Sequence, residues 1–86
     1  MTGREVQLLH LVMLAVDLDA LGRSSTIALR GYDVPVLYVP WAAGKLKIKA
    51  ELRGDQWFYA WGRSPSSRIP VGGRAAHGIA AMVAAP

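Results

Sequence analysis

The feature that most constrains this chain is an alternation of apolar and polar side chains over residues 45–53, followed by Gly54-Asp55 and a second strand-like run over residues 56–61. Alternation with a period of two is typical of a β-strand that has one buried and one solvated face. Gly54-Asp55 is a turn signal between two such runs. The segment is therefore predicted to form a β-hairpin with one buried and one solvated face.

The place of three aromatic residues in this hairpin, Trp57, Tyr59 and Trp61, depends on the length of the turn. A two-residue turn sets Leu52 opposite Trp57, and the aromatic row then belongs to the core. A three-residue loop sets Arg53 opposite Trp57 and creates an exposed surface of basic and aromatic side chains, which suits single-stranded nucleic acid. Glycine at the first turn position favours the two-residue turn, but the alternation alone leaves both registers open.

Helical segments are expected on both sides of the strands. Residues 5–21 contain no Pro or Gly and precede Gly22, where a left-handed helix cap is expected. The alanine-rich residues 74–85 carry apolar side chains at helical spacing and predict a short closing helix. Two more strand-like runs lie at residues 26–30 and 34–39, separated by the turn signal Gly31-Tyr32-Asp33.

The expected architecture is a two-layer α+β domain with an N-terminal helix, an antiparallel meander of three or four strands and a C-terminal helix. A length of 86 residues fits residues 1–86 as one domain. A core this small gives modest stability to an isolated copy, so a second chain would help. The chain has no cysteine, which suits a reducing cytoplasm and excludes disulfides and thiolate sites.

A membrane role is not expected from the sequence. The first apolar stretch is interrupted by Glu5, Gln7 and His10, and acidic residues follow it directly. A signal peptide needs an uninterrupted apolar centre, and a membrane-spanning helix needs about 20 apolar residues. The chain is therefore predicted to be cytoplasmic.

The first predicted helix is apolar around nearly its whole circumference. A helix resting on one sheet buries about half its surface, so the remainder is expected to meet a second copy or a protein client, unless the closing helix alone covers it. The closing helix is short and mostly alanine, which favours a partner. The interface candidates are four leucines: Leu11, Leu14, Leu18 and Leu21.

Basic residues suggest a second binding surface. The net charge is +4, and the solvated face of the hairpin carries Lys45, Lys47, Lys49 and Arg53. This face could contact nucleic acid, although lysines on a strand also serve as a solvated face that discourages edge pairing. The loop at residues 62–68 adds Arg63, Arg68 and serine hydroxyls, which could hold an anion or form an ordinary solvated loop.

Catalysis has little support in the sequence. His10 and His77 are the only histidines, and neither has a partner at metal-ligand spacing. Asp17 and Asp19 lie on different faces of the predicted helix and cannot act as a carboxylate pair. We therefore expect a non-enzyme with no catalytic residues, no metal and no cofactor.

Three segments carry a resemblance: the strand at residues 35–39, the aromatic run at residues 57–62, and Ile69 with Ala75, Ala76 and Ile79. Together they look like a group of small uncharacterised actinobacterial proteins. The order of elements is also similar to the YbjN and type III secretion chaperone-like fold, which consists of a helix, a three-stranded meander and a second helix. That resemblance implies a unit that dimerises and binds other proteins. It carries no catalytic residue over to this chain, and Gly72-Gly73-Arg74 stands where the group usually has an acidic helix start.

The sequence therefore predicts a non-catalytic, chaperone-like or regulatory interaction module. Its expected partner is a second copy, giving a homodimer, or a protein client. The alternative is a nucleic-acid-binding protein that uses the basic face of the hairpin at residues 45–61.

Overall fold

The computed structural model describes residues 3–29 and 34–84, which form one antiparallel sheet with two helices against it. The helices are α1 (Gly3–Ala20) and α2 (Ala75–Ala84). The strands are β1 (Thr26–Ala28), β2 (Val36–Trp41), β3 (Gly44–Arg53), β4 (Gln56–Ala60) and β5 (Arg68–Pro70). They are ordered β1-β2-β3-β4-β5, and each neighbouring pair is antiparallel.

The predicted α+β class and the order helix, meander, helix are confirmed. The sheet has five strands rather than three or four, because the three residues of β5 pair with β4 after the serine-rich loop. The predicted turn at residues 31–33 lies outside the described residues, as do Arg30 and Ala85 at the ends of predicted elements.

Helix α1 ends where the sequence predicts, through a glycine cap. Gly22 adopts a φ of 76°, and its N–H donates to the Asp19 carbonyl at 2.9 Å. The N–H of Arg23 donates to the Leu18 carbonyl, also at 2.9 Å. This pair of bonds is the Schellman arrangement, which satisfies the last helical carbonyls and turns the chain toward β1.

The turn between β3 and β4 has two residues. Leu52 pairs with Trp57 and Ala50 with Tyr59, so the predicted two-residue register is confirmed and the three-residue alternative is wrong. Gly54 has a φ of 61°, and no described residue other than glycine has a positive φ, as a type II′ turn requires. Tyr59 is 2% exposed, and Trp57 and Trp61 are half-buried against the core.

The core lies between the sheet and the helices. Helices α1 and α2 contact each other and both contact β2, so they cover the same sheet face. Alternate strand residues point into this layer and are almost fully buried: Leu37, Val39, Leu46, Ile48 and Ala50. From α2 come Ala75, Ala76, Ile79 and Val83. The opposite sheet face, which we call the outer sheet face, carries no helix among the described residues.

The prediction that four leucines form an interface is wrong for three of them. Leu11, Leu14 and Leu18 are 0%, 1% and 0% exposed and form its core side, so they are not available as interface residues within one copy. The reason is that two polar residues beside them on the helix, Gln7 and His10, also face the sheet. The Gln7 amide donates to the Ala50 carbonyl at 3.1 Å, and the His10 ring lies 5.0 Å from the Trp57 ring.

Candidate functional site

The side of α1 that faces away from the sheet is apolar. Four residues at positions i, i+3, i+4 and i+7 share it, and we call them the outer stripe: Leu9, Val12, Met13 and Val16. Their exposed fractions are 46%, 41%, 49% and 62%. Single exposed apolar residues are ordinary, but four neighbours on one helix form a patch of the kind that marks contact surfaces.

The fourth predicted interface residue, Leu21, lies just after α1 and is 39% exposed. It is the only one of the four leucines with substantial exposed surface. The sequence does contain the signal for the outer stripe, because Leu9, Met13 and Val16 lie together on a helical projection. An all-apolar helix gives no contrast from which to decide which side is buried.

A shallow groove runs beside the outer stripe. Four residues of α1 line it, Val12, Ala15, Val16 and Asp19, and Arg23, Ser24 and Ser25 after the helix complete the lining. The apolar part of the groove includes Val12 and Val16 of the outer stripe, while the remaining lining is mostly polar. An apolar centre with a polar rim is the usual organisation of a protein contact surface.

The outer sheet face is basic. The residues of β3 that do not enter the core are Lys45, Lys47, Lys49, Glu51 and Arg53. All four predicted basic residues of the hairpin therefore lie on one open face, as the alternation indicates. Arg53 contacts Glu51 at 3.3 Å, but both side chains are well exposed, so this ion pair contributes little to stability.

Strand β5 brings Arg68 onto the same face. Ala60 pairs with both Lys49 and Arg68, so the three residues form one row across β3, β4 and β5. Arg63 follows β4, and it lines a depression together with Lys47, Lys49, Trp61 and the acidic Glu51. The structure thus brings Lys47 and Lys49 of the hairpin together with Arg63 and Arg68 of the loop, whereas Lys45 and Arg53 lie near the two ends of β3.

The serine side chains of the loop form hydrogen bonds with one another. Ser64 Oγ lies 2.9 Å from Ser66 Oγ and 3.0 Å from Ser67 Oγ, and the Ser67 N–H donates to the Ser64 carbonyl. Residues Pro65–Ser67 form one turn of 3-10 helix. Gly62 is needed here, because a Cβ at this position would lie 2.8 Å from Ser67 Oγ. These bonds fix the loop that positions Arg63 and Arg68.

Aromatic side chains also reach the outer sheet face. Tyr38 pairs with Lys47 and Phe58 pairs with Glu51, which places both rings among the charged residues. Both are partly exposed. The Lys45 ammonium lies 5.9 Å from the centre of the Tyr38 ring, near the limit for a cation–π contact. Residues 34–39 are apolar almost throughout, so the sequence gives no signal for the face that Tyr38 occupies.

One buried polar contact anchors α1 on the sheet. The Tyr59 hydroxyl donates to the His10 carbonyl at 2.6 Å. Burial, with a smaller contribution from the nearby Asp17 carboxylate, raises the pKa of Tyr59 to about 12. Both causes disfavour the phenolate, so the neutral hydroxyl keeps its bond to α1 over the ordinary pH range.

No group of three or more His, Asp or Glu residues within 3–29 and 34–84 is placed to hold a metal ion. His77 is exposed on α2, whereas His10 is partly buried, and its Nδ1 has no hydrogen-bond partner among the described residues. Neither helix of the described part of the chain is long and apolar enough to cross a bilayer. No family model matches the sequence, and neither the curated proteins nor the solved structures contain a match to it.

Proposed function

We propose that this protein is a non-catalytic, cytoplasmic interaction module that forms a homodimer through the outer stripe of α1. The observation that carries the proposal is the exposure of four large apolar side chains side by side on a helix whose other side is the core of the domain. Burying them against another apolar surface stabilises the assembly by about 25 cal/mol for each Å² removed from water. A small domain with a limited core gains most from such burial.

A second copy is the occupant because the surface is complementary to itself. An antiparallel pair of α1 helices, with the two-fold axis between Val12 and Met13, sets Leu9 of one copy opposite Val16 of the other. The same operation sets Val12 opposite Met13. In this arrangement, Met13 of each copy can enter the groove beside Val12 and Val16 of the other. Methionine is flexible enough to fill such an irregular gap.

Charges do not oppose this pairing. The two-fold operation sets Glu5 opposite Ala20 and Asp19 opposite Val6, so no carboxylate lies directly across from another. Like charges directly opposite each other would disfavour the contact.

The sheet edges are poor alternatives for association. The edge strands β1 and β5 have three residues each, and β5 ends in Pro70, which has no N–H to donate. Short edges and proline are the usual protection against strand pairing between chains. Association is therefore better supported on the helix layer than at either end of the sheet.

The test is molar mass in solution, measured by light scattering after size-exclusion chromatography over a range of concentrations. The outer stripe spans eight residues, 9–16, and about 10 Å of helix, so the contact is small and we expect dissociation in the micromolar range. Met13→Glu/Val16→Glu is expected to remain a folded monomer at every concentration. The control is Leu52→Glu, which replaces another exposed leucine with a carboxylate. Leu52 lies near the end of β3 and is 54% exposed, and this variant should dimerise like the wild type.

A wild-type protein that is monomeric at the highest concentration would refute the homodimer. A protein client, as the chaperone-like resemblance implies, would then be the occupant to test. Dimerisation of the Met13→Glu/Val16→Glu variant would show that another surface mediates association.

A further inference from the structure

We propose that the outer sheet face binds single-stranded nucleic acid, with its basic residues contacting phosphates and Tyr38 and Phe58 stacking on bases. This surface lies on the opposite side of the sheet from α1. The proposal is therefore independent of the homodimer, which leaves the outer sheet face open.

The charge of the protein is concentrated in this part of the chain. Residues 45–68 contain six basic and two acidic residues, and the rest of the sequence contains four of each. The whole net charge of +4 therefore comes from β3, β4, their turn, the loop to β5 and the first residue of β5, Arg68. A patch of one sign on an open face attracts a polyanion of the opposite sign.

The row across three strands gives the positive charge a fixed geometry. Adjacent strands lie about 4.8 Å apart, so the Lys49 and Arg68 backbones, on either side of Ala60, are about 10 Å apart. Next to Lys49, Ala60 lines a depression that is also lined by Lys47, Glu51, Trp61 and Arg63, and Arg68 follows Ala60 in the row. A phosphate backbone lying in this depression meets three cations, Lys47, Lys49 and Arg63, and one carboxylate, Glu51.

Arg68 provides an independent observation. Its Nε is buried and has no hydrogen-bond acceptor within the described part of the chain. A buried donor without an acceptor is costly, but a phosphate can reach only the exposed part of the side chain. Arg68 as a whole is partly exposed, and a phosphate oxygen is a strong acceptor for guanidinium. The 3-10 turn and the serine hydrogen bonds before it hold Arg68 in place.

The aromatic rings distinguish a nucleic acid from other polyanions. Tyr38 and Phe58 are two strands apart, and their paired positions on β3, Lys47 and Glu51, are four residues apart, about 13 Å along the strand. The two rings are therefore about 16 Å apart on the diagonal, with cations between them. Stacking on partly exposed aromatic rings needs unpaired bases, so a single strand is favoured over a duplex.

The experiment uses the full chain and a fluorescein-labelled oligothymidine of about 12 nucleotides, a length within the usual site sizes. Binding is followed by anisotropy between about 50 and 200 mM NaCl. If Lys47, Lys49, Arg63 and Arg68 contact four phosphates, the logarithmic salt slope is about −2.8, and affinity falls about 50-fold over this range.

Two charge-matched variants separate the surface from the net charge. Lys47→Gln/Lys49→Gln is expected to lower the affinity and to bring the salt slope to about −1.4. Arg4→Gln/Arg74→Gln removes the same charge outside residues 45–68 and is expected to change the slope little. Circular dichroism and urea unfolding are used to verify that both variants are folded.

Phe58→Leu tests stacking. Loss of one stacked base lowers affinity by about 5- to 150-fold without changing the salt slope. A duplex of the same length and a polyglutamate peptide are expected to bind more weakly than the single strand.

Three results would overturn the proposal. The first is no binding at low salt, and the second is an equal loss of affinity in the two charge-matched variants. The third is polyglutamate or duplex binding as tight as that of the single strand, with Phe58→Leu unchanged, which would mean a surface for acidic proteins or for general polyanions.

Discussion

Replacing Leu18 with alanine distinguishes the buried side of α1 from its outer stripe. Leu18 is 0% exposed and lies in the core cluster, whereas Val16, two residues earlier, is 62% exposed. Truncating a buried leucine removes its transfer free energy and leaves a cavity, at a cost of about 3 to 5 kcal/mol. The free energy of unfolding of a chain of 86 residues is about 4 to 13 kcal/mol. Leu18→Ala should therefore remove a large share of the stability.

Val16→Ala is the matched control. Alanine has the higher helix propensity and little burial is lost, so the free energy of unfolding of one copy should change by less than about 0.5 kcal/mol. Both variants are compared with the wild type by urea unfolding, followed by tryptophan fluorescence at a protein concentration where the chain is monomeric. A Leu18→Ala loss below about 1 kcal/mol, or equal losses in the two variants, would refute the assignment of the buried side.

Three further predictions concern single contacts. Because the folded pKa of Tyr59 is about 12, above its ordinary value of 10.0, its contribution to stability is complete below pH 10 and is lost as pH rises to 12. Tyr59→Phe should lower the free energy of unfolding by about 1 kcal/mol at neutral pH, because the bond to His10 is lost. Between pH 10 and 12, the free energy of unfolding of the variant should fall less than that of the wild type. Identical pH profiles of the two proteins would contradict this. A Cβ at Gly78 would lie 2.7 Å from Ile69 Cδ1, so Gly78→Ala should gain stability only alongside Ile69→Val; a urea double-mutant cycle with no coupling would exclude that contact. Gly54→Ala should cost about 1 kcal/mol, measured by thermal unfolding, because its φ of 61° strains any side chain; a neutral effect would exclude the type II′ turn.

The sequence was sufficient for most of the fold because local signals agree with the tertiary structure. The alternation in residues 45–53 and the Gly54 turn determine the hairpin register, and Gly22 determines the end of α1. Strand β5 was missed because three residues between a serine-rich loop and glycines show no periodicity. Its pairing with β4 is visible only in three dimensions.

The orientation of α1 could not be obtained from apolarity alone. The spacing of Leu11, Leu14 and Leu18 is itself a helical stripe, and so is the spacing of Leu9 and Val16 with their neighbours. The two stripes differ in what lies beside them, since Gln7 contacts β3 through its amide. A polar residue that bonds to a sheet carbonyl cannot be told from a solvated one in a sequence.

The packing of α1 on strands that come much later in the sequence has a consequence for synthesis on the ribosome. The contacts that anchor α1 join residues far apart in the chain: Gln7 to Ala50, 43 residues later, and His10 to Tyr59, 49 residues later. Translation at about 5 to 20 residues per second leaves α1 without its sheet for about 2 to 10 s. Throughout that interval both apolar sides of the nascent helix are exposed. The helix can therefore contact other proteins before it packs on its own sheet.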